Sequence, residues 1–315
     1  MKIYTKQFKQ LSKVDVAIAG GKGASLGEMA QAGFLVPPGF VVLASAFEKF
    51  LEETDLNVEM SAILKKVNYK DINSVDKASN QIGDLIADAD FPKDIGKEIK
   101  KEFGKMGVKF VAVRSSATAE DSSIASWAGE LESHLNVDEK DLFEAVKKCW
   151  ASLFTPRAIF YRFEKNLQKQ KVSVAVVVQA MVQSEVSGVA FTVHPVTEDR
   201  NQMVIEAGWG LGEAIVGGKI TPDTYIVAKD SLEILDKNIF SQEIKIVKDG
   251  LGTKEEAVEK SEQEKQKLTD EKIIELAKIC KKIEEHYGFP QDIEWAFEKE
   301  KFYIVQSRPI TTLVE

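Results

Sequence analysis

The sequence has little of what several enzyme classes require. Its two cysteines, Cys149 and Cys280, lie far apart and outside any Cys-x-x-Cys pattern, so neither a disulfide framework nor a zinc site is indicated. Its three histidines, His134, His194 and His286, show no spacing that predicts a Ser/His/Asp arrangement. We therefore expect both residue types to be structural.

Long apolar runs and basic blocks are also missing. The most apolar stretch, 172–182, is interrupted by Ser173 and Gln179 and falls short of the ~20 residues that a membrane span requires. The first residues lack the pattern of a signal peptide. The 50 acidic residues outnumber the 42 basic ones without segregating from them, which argues against nucleic acid as a partner. We expect a cytoplasmic protein without a membrane or nucleic-acid partner.

Two nucleotide-binding fingerprints do not occur: the Gly-x-Gly-x-x-Gly of Rossmann folds and the Gly-x-x-x-x-Gly-Lys-Ser/Thr of P-loops. Glycine is nevertheless dense at 20–28 and 208–213. The first segment predicts a loop that opens a helix, with Ser25 and Glu28 as a capping box. Its Lys22 stands among glycines that let backbone N–H groups approach an anion. A simple turn and cap is the alternative.

The last 24 residues predict two antiparallel strands, 292–297 and 302–309, joined by a charged turn. Alternation places Asp292 and Glu294 on one face of the first strand, and Gln306 and Arg308 on one face of the second. The oxygens of Glu294 and Gln306 suit Mg²⁺, and Arg308 would lie beside phosphates. An exposed hairpin with an incidental ion pair is the alternative.

Two other segments complete the pattern. Residues 110–113 predict a buried strand that runs into Arg-Ser-Ser-Ala-Thr-Ala-Glu-Asp, a polar loop starting at Arg114 that is a usual place for ligand groups. Residues 241–267 are charged and apolar-poor, which favours an exposed strand followed by a mobile connection. Thr269 then predicts the start of a helix that stops at Gly288.

Four segments, at 20–28, 113–121, 209–213 and 305–309 in this order, resemble the N-terminal nucleotide-binding domain of the phosphoenolpyruvate synthase (pyruvate, water dikinase) family. The same domain type occurs in pyruvate phosphate dikinase and rifampin phosphotransferase. The resemblance implies an α+β, ATP-grasp-type fold of two lobes with the nucleotide in the cleft between them. The N-terminal part would span 1–187 and carry the first two motifs, and 188–315 would carry the metal-binding strand pair.

The resemblance also implies a set of site residues and two cofactors, ATP and Mg²⁺. Lys22, Arg114 and Arg308 would contact phosphates and act in catalysis, and Glu294 and Gln306 would bind the metal. The remaining nucleotide contacts would come from Gly129, Ser133, Gln179, Met181 and Val182.

The implied activity is that of an ATP-dependent phosphotransferase. In the family, a phosphoryl or pyrophosphoryl group passes to a histidine on a separate domain, and a further domain carries it to pyruvate or another acceptor. No histidine of this chain lies in the family's Thr-Ser-His-like context, so we expect the histidine domain and the pyruvate-binding domain to act in trans or to be missing from this chain. Two alternatives are a non-catalytic nucleotide-binding or regulatory subunit and the ATP module of a rifampin-phosphotransferase-like enzyme.

Overall fold

A computed structural model describes residues 2–118, 132–165, 173–311 and 313, and the chain forms two units. The first comprises Met1–Gln31 and Pro38–Met181, and the second Ala32–Pro37 and Val182–Glu315. The boundary therefore differs from the expected 187/188, because the strand that starts at Val186 pairs inside the second unit. The excursion of 32–37 was not foreseen; there the Leu35 carbonyl accepts from the Ile304 N–H at 2.9 Å.

The first unit is a five-stranded antiparallel sheet with helices, in the strand order β1-β2-β5-β3-β4. Its strands are β1 (Thr5–Gln7), β2 (Gly39–Val42), β3 (Val111–Ala117), β4 (Ser133–Val137) and β5 (Val174–Ala180). Its helices are α1 (Val16–Gln31), α2 (Ala44–Glu53), α3 (Leu56–Lys65), α4 (Ile72–Asp88), α5 (Lys93–Met106), α6 (Leu142–Ala151) and α7 (Pro156–Glu164).

The two faces of this sheet have different neighbours. Valines of β2, β3 and β5 point to one face and form the core with side chains of α2, α4, α5 and α6, among them Phe50, Ile82, Ile99 and Trp150. Helix α1 packs against β3 and β5. One face of the sheet thus holds the main core, and alternation along β3 places Arg114 and Ser116 on the other face.

Helix α1 is kinked at Gly20, where φ is +68°. A Cβ at this position would lie 2.2 Å from the Ser116 hydroxyl oxygen, so only glycine fits both the angle and the space. Because α1 already begins at Val16, Ser25 is inside the helix, and the predicted capping box is wrong. The Glu28 carboxylate accepts from the Lys13 N–H instead, at 2.9 Å.

The second unit is a six-stranded antiparallel sheet in the strand order β13-β12-β6-β7-β8-β9, with a separate two-stranded hairpin, β10-β11. Its strands are β6 (Val186–Phe191), β7 (Gln202–Trp209), β8 (Asp223–Ala228), β9 (Ile234–Asn238), β10 (Ile244–Lys248), β11 (Thr253–Ala257), β12 (Gln291–Glu298) and β13 (Lys301–Pro309). Its helices are α8 (Glu213–Val216) and α9 (Asp270–Tyr287).

Helix α9 packs on β7, β8 and β12 through its buried apolar stripe. The predicted caps are confirmed: the Thr269 side chain accepts from the Lys272 N–H, and Gly288 ends the helix at φ +77°. The predicted strand pair at the end of the chain is also confirmed, as β12 and β13. Together with the first unit, these elements confirm the α+β fold class.

The expectation of a mobile connection before α9 is wrong. Residues 244–257 form the β10-β11 hairpin, and Lys267 and Asp223 form an ion pair at 2.9 Å with fully buried side chains. The expectation failed because charged residues are usually exposed, whereas the charge of Lys267 is paired with that of Asp223 inside the unit. None of the helices in the described part of the chain is long and apolar enough to cross a membrane.

Candidate functional site

The glycine-rich turn of α1 is bound to the Arg-Ser-Ser segment of β3. The Ser116 hydroxyl donates to the Ala19 carbonyl at 3.0 Å and accepts from the Gly23 N–H at 3.2 Å. Lys22 lies between these two bonded residues. Arg114 lies two residues before Ser116 in β3 and therefore on the same face of the strand. The fold thus brings Lys22 and Arg114, which are distant in sequence, to one region of the first unit.

The Arg114 side chain has a partner on the neighbouring strand. Its Nε donates to the Ser133 hydroxyl at 3.4 Å, and the two residues are register partners of β3 and β4. The Ser133 hydroxyl thus helps to orient the Arg114 guanidinium, while the place of Ser133 near phosphates stays a prediction. Gly129, the other residue expected in this region, lies outside the described residues.

Gln179 is in β5, opposite Ala112 of β3, and shares the sheet face of Arg114. It is 2% exposed, and its Nε2 has no hydrogen-bond partner in the described structure. A buried donor without a partner is costly, and an acceptor on the edge of an adenine would satisfy it. Nearby, the Met181 N–H donates to the Phe110 carbonyl at 3.1 Å, so an adenine contact at Met181 falls to its carbonyl. Val182 follows as a buried residue.

Four polar side chains of the second unit form two adjacent cross-strand pairs on one sheet face. Asp292 is opposite Arg308, and Glu294 is opposite Gln306. Arg308 holds one carboxylate oxygen of Asp292 with two nitrogens, Nε at 2.7 Å and a terminal nitrogen at 2.6 Å. The Arg308 side chain is 48% exposed and that of Asp292 is 12% exposed, so a half-buried carboxylate anchors an accessible cation.

Electrostatics at this face are dominated by carboxylates. Burial raises the pKa of Asp292 above its ordinary value; the Arg308 guanidinium opposes this increase, and the charge of Glu294 adds to it. On β7, burial raises the pKa of Glu206, and the charge of Asp292 raises it further. The face therefore carries an excess of negative charge that favours cations.

A divalent cation fits the Glu294 and Gln306 pair. Gln306 is 5% exposed, and its Oε1 has no hydrogen-bond partner among the described residues, so a carbonyl oxygen is available as a ligand. No group of three His, Cys, Asp or Glu side chains in the described part of the chain could hold a metal ion by itself. This suits Mg²⁺, which takes one or two protein oxygens and completes its shell with water and phosphate.

The glycine-rich composition of 208–213 suggests a phosphate-binding loop, but the backbone of this segment makes contacts inside the second unit instead. The backbone N–H groups of Trp209, Gly210 and Leu211 donate to the Gln242 side chain, the Glu185 carbonyl and the Ile246 carbonyl. The Gly210 carbonyl accepts from two serine hydroxyls. Because these groups are committed inside the unit, the segment braces the β10-β11 hairpin and offers no amide cradle for phosphate from these three residues.

Sequence reasoning missed two carboxylates of the site. Asp292 was placed on the right face without a role, and its partner Arg308 supplies that role. Glu206 was not considered. The available signal was a single charged residue inside the apolar run Met203–Ala207, because an isolated charge in a buried strand needs a partner or a function.

The chain is similar to several known proteins. The family described as "Pyruvate phosphate dikinase, AMP/ATP-binding domain" matches residues 16–315. A probable phosphoenolpyruvate synthase of Methanocaldococcus jannaschii is 49% identical over 96% of this chain and 26% of its own length. The phosphoenolpyruvate synthase of Pyrococcus furiosus is 44% identical over 99% of this chain and 44% of its own length.

A rifampicin phosphotransferase of Bacillus subtilis is 39% identical over 96% of this chain and 35% of its own length. The chain thus spans less than half of the length of each of these three relatives. It belongs to the pyruvate phosphate dikinase AMP/ATP-binding domain family.

Proposed function

We propose that this chain binds Mg·ATP and activates its phosphoryl or pyrophosphoryl group for transfer to a histidine of a separate domain. The observation that carries the proposal is the pair of cross-strand contacts in the second unit: an accessible Arg308 anchored by Asp292, beside Glu294 and the unpaired Gln306 oxygen. The family assignment supports ATP as the nucleotide. An ATP-grasp-type fold is part of the proposal.

Each side chain then has a task that its surroundings support. Lys22 and Arg114 neutralise phosphate charge, and Ser133 orients the Arg114 guanidinium. Arg308, fixed by Asp292, faces the charge that develops on the transferred group. Well-placed donors of this kind each contribute roughly 10²–10³-fold to a rate. Gln179 and the backbone at Met181 and Val182 hold the adenine.

The cation has a place in the same scheme. Glu294 and Gln306 would hold Mg²⁺, which would supply positive charge that offsets the negative charge of the phosphates. The chain's own contribution is to fix these two oxygens on neighbouring strands, where β-sheet hydrogen bonds set their spacing.

We further propose pyruvate as the final acceptor, reached through a histidine domain and a pyruvate-binding domain. The relatives named phosphoenolpyruvate synthase support pyruvate through their higher identity. The rifampicin phosphotransferase supports a second candidate, in which the acceptor is an antibiotic.

The test combines this chain with the histidine domain of an archaeal phosphoenolpyruvate synthase and follows AMP, phosphate and phosphohistidine. AMP formation that depends on the histidine domain is expected, and Arg114→Ala should abolish it. Lys148→Ala, which removes an exposed cation paired with Glu144, is the control and should be active. Tight Mg·ATP binding with ATP left intact would favour a regulatory, non-catalytic subunit, and AMP formation unchanged by Arg114→Ala would refute the assignment.

A further inference from the structure

Glu206 lies in line with the proposed metal ligands. Its register partner on β6 is Val189, the partner of Val189 on β12 is Glu294, and the partner of Glu294 on β13 is Gln306. Register partners point to the same face of a sheet. Glu206, Glu294 and Gln306 thus form one row across four strands, with only the aliphatic Val189 between the two carboxylates.

The Glu206 carboxylate has no compensating partner in the part of the chain that the structure describes. It is partly buried, and no hydrogen-bond donor or cation of the described residues reaches it. Its charged neighbour is Asp292, which repels it, and the nearby Arg308 is bound to Asp292. Removing a carboxylate from water without a counter-charge is costly, so a retained one points to a cation that arrives with a ligand.

The geometry fits a hydrated cation better than direct coordination. Glu206 and Glu294 are two strands apart, which corresponds to ~10 Å between their backbones. No three acidic side chains of the described chain lie close enough to share a bare metal ion. Mg²⁺ keeps several of its waters, and each such water can donate a hydrogen bond to a carboxylate beyond the first coordination sphere.

We propose that Glu206 is an outer-sphere positioning residue for the divalent cation held by Glu294 and Gln306, accepting a hydrogen bond from a cation-bound water. The inference rests on the proposed function and adds a residue to it. It also accounts for the charge at this face. A triphosphate placed beside Glu206, Asp292 and Glu294, with Arg308 already paired to Asp292, meets net repulsion until a cation binds.

Mn²⁺ is the probe for the test. Its binding to the whole chain is measured by electron paramagnetic resonance with a non-hydrolysable ATP analogue present, and analogue binding is measured separately in EDTA. Glu206→Gln should weaken Mn²⁺ binding about 10-fold or more, the usual effect of losing an outer-sphere partner. Analogue binding in EDTA should be unchanged or tighter, because the variant removes a negative charge.

Two variants calibrate the result. Glu256→Gln removes one negative charge from the exposed pair with Lys245 in the same unit and should leave Mn²⁺ binding unchanged. Glu206→Asp keeps the charge on a shorter side chain and should give an intermediate affinity. The melting temperature of unliganded Glu206→Gln should not fall, so misfolding cannot account for the expected loss.

The outcomes separate this inference from the function on which it rests. If Glu294→Gln abolishes Mn²⁺ binding while Glu206→Gln leaves it unchanged, the proposed function stands and the role of Glu206 is refuted. An equal loss of analogue binding in EDTA would also refute it, because Glu206 would then serve the nucleotide or the fold. If the wild-type chain binds no Mn²⁺ with the analogue, the proposed function and this inference both fail.

Discussion

Gln179 and Gln306 are both buried, and each keeps one polar atom without a partner among the described residues. The two atoms have opposite hydrogen-bonding roles: Gln179 offers a donor and Gln306 an acceptor. Such groups destabilise a folded protein by roughly 1–3 kcal/mol each, and the proposed nucleotide and cation would supply the missing partners on binding. A single-residue variant can test this explanation if its ligand affinity and its free energy of unfolding are measured separately.

Replacing Gln306 with leucine should make this separation. The variant removes an unpaired buried acceptor, so the unfolding free energy of the unliganded chain should rise by up to about 1 kcal/mol. It also removes a metal ligand, so Mg²⁺ affinity in the presence of nucleotide should fall at least about 10-fold. Chemical denaturation and calorimetry measure the two quantities.

Gln242→Leu is the matched control for this variant. Gln242 is equally buried, but its carboxamide accepts from the Trp209 N–H and donates to the Trp209 and Ile244 carbonyls. Its replacement should lower stability. A loss of stability in Gln306→Leu similar to that of the control would show that Gln306 is structural.

At the scale of elements, helix α1 and strand β3 meet through a glycine and a serine. Gly20 provides the space and the positive φ, and Ser116 provides two hydrogen bonds that hold the turn containing Lys22. The position of Lys22 thus depends on residues without charge. Variants of Gly20 and Ser116 should therefore act on the proposed phosphate site by displacing Lys22.

Gly20→Ala should therefore destabilise the chain by about 2 kcal/mol or more, since a left-handed angle and an added clash both oppose it. Gly33→Ala separates the two causes. Gly33 has φ +85°, but a Cβ there would meet nothing within 4 Å, so it should show only the backbone cost of about 1–2 kcal/mol. Urea unfolding measures both variants, and equal losses would contradict the proposed close contact of α1 with β3.

The segment between β11 and α9 is attached to β8 by an ion pair, Lys267 with Asp223, whose side chains have no contact with solvent. Asp223 accepts from the Lys267 side chain at 2.9 Å, from the Lys267 N–H, and from the Tyr225 hydroxyl at 2.8 Å. Lys267→Met leaves the carboxylate with one charge partner fewer and should cost about 3–5 kcal/mol. Lys265→Met, which removes an exposed partner of Glu262, should cost under about 1 kcal/mol. Similar losses of unfolding free energy for the two variants, measured in denaturant, would show that burial does not increase the contribution of the Asp223–Lys267 pair to stability.

At the scale of the whole molecule, nucleotide binding and the stability of the fold are linked. A ligand that binds only the folded state stabilises it by about 2.7 kcal/mol at a concentration of 100 times its dissociation constant. Mg·ATP should therefore raise the melting temperature of the chain, and Arg114→Ala and Glu294→Gln should each remove most of this shift. Thermal unfolding with and without Mg·ATP measures it. A full shift in either variant would contradict the participation of that residue.

Sequence reasoning succeeded where periodicity or a local motif determines the structure. It predicted the caps of α9, the pairing of β12 with β13, and the shared face of Asp292 and Glu294, because each depends on neighbours in the chain. It failed where contacts between residues that are far apart in the sequence determine the structure. The kink at Gly20 depends on Ser116, the burial of Lys267 on Asp223, and the row of Glu206 with Glu294 on strand order. None of these pairs has a sequence spacing that reveals it.

The assignment of residues 32–37 to the second unit limits how this domain can be exchanged between genes. The chain enters the second unit at Ala32, leaves it at Pro37 and returns at Val182. If the gene were divided at the 181/182 boundary, the first product would carry residues 32–37, which belong to the second unit. The second product would lack the Leu35 carbonyl that accepts from the Ile304 N–H. The two units are therefore expected to be exchanged between proteins as one indivisible cassette, and recombination inside it to yield products that misfold.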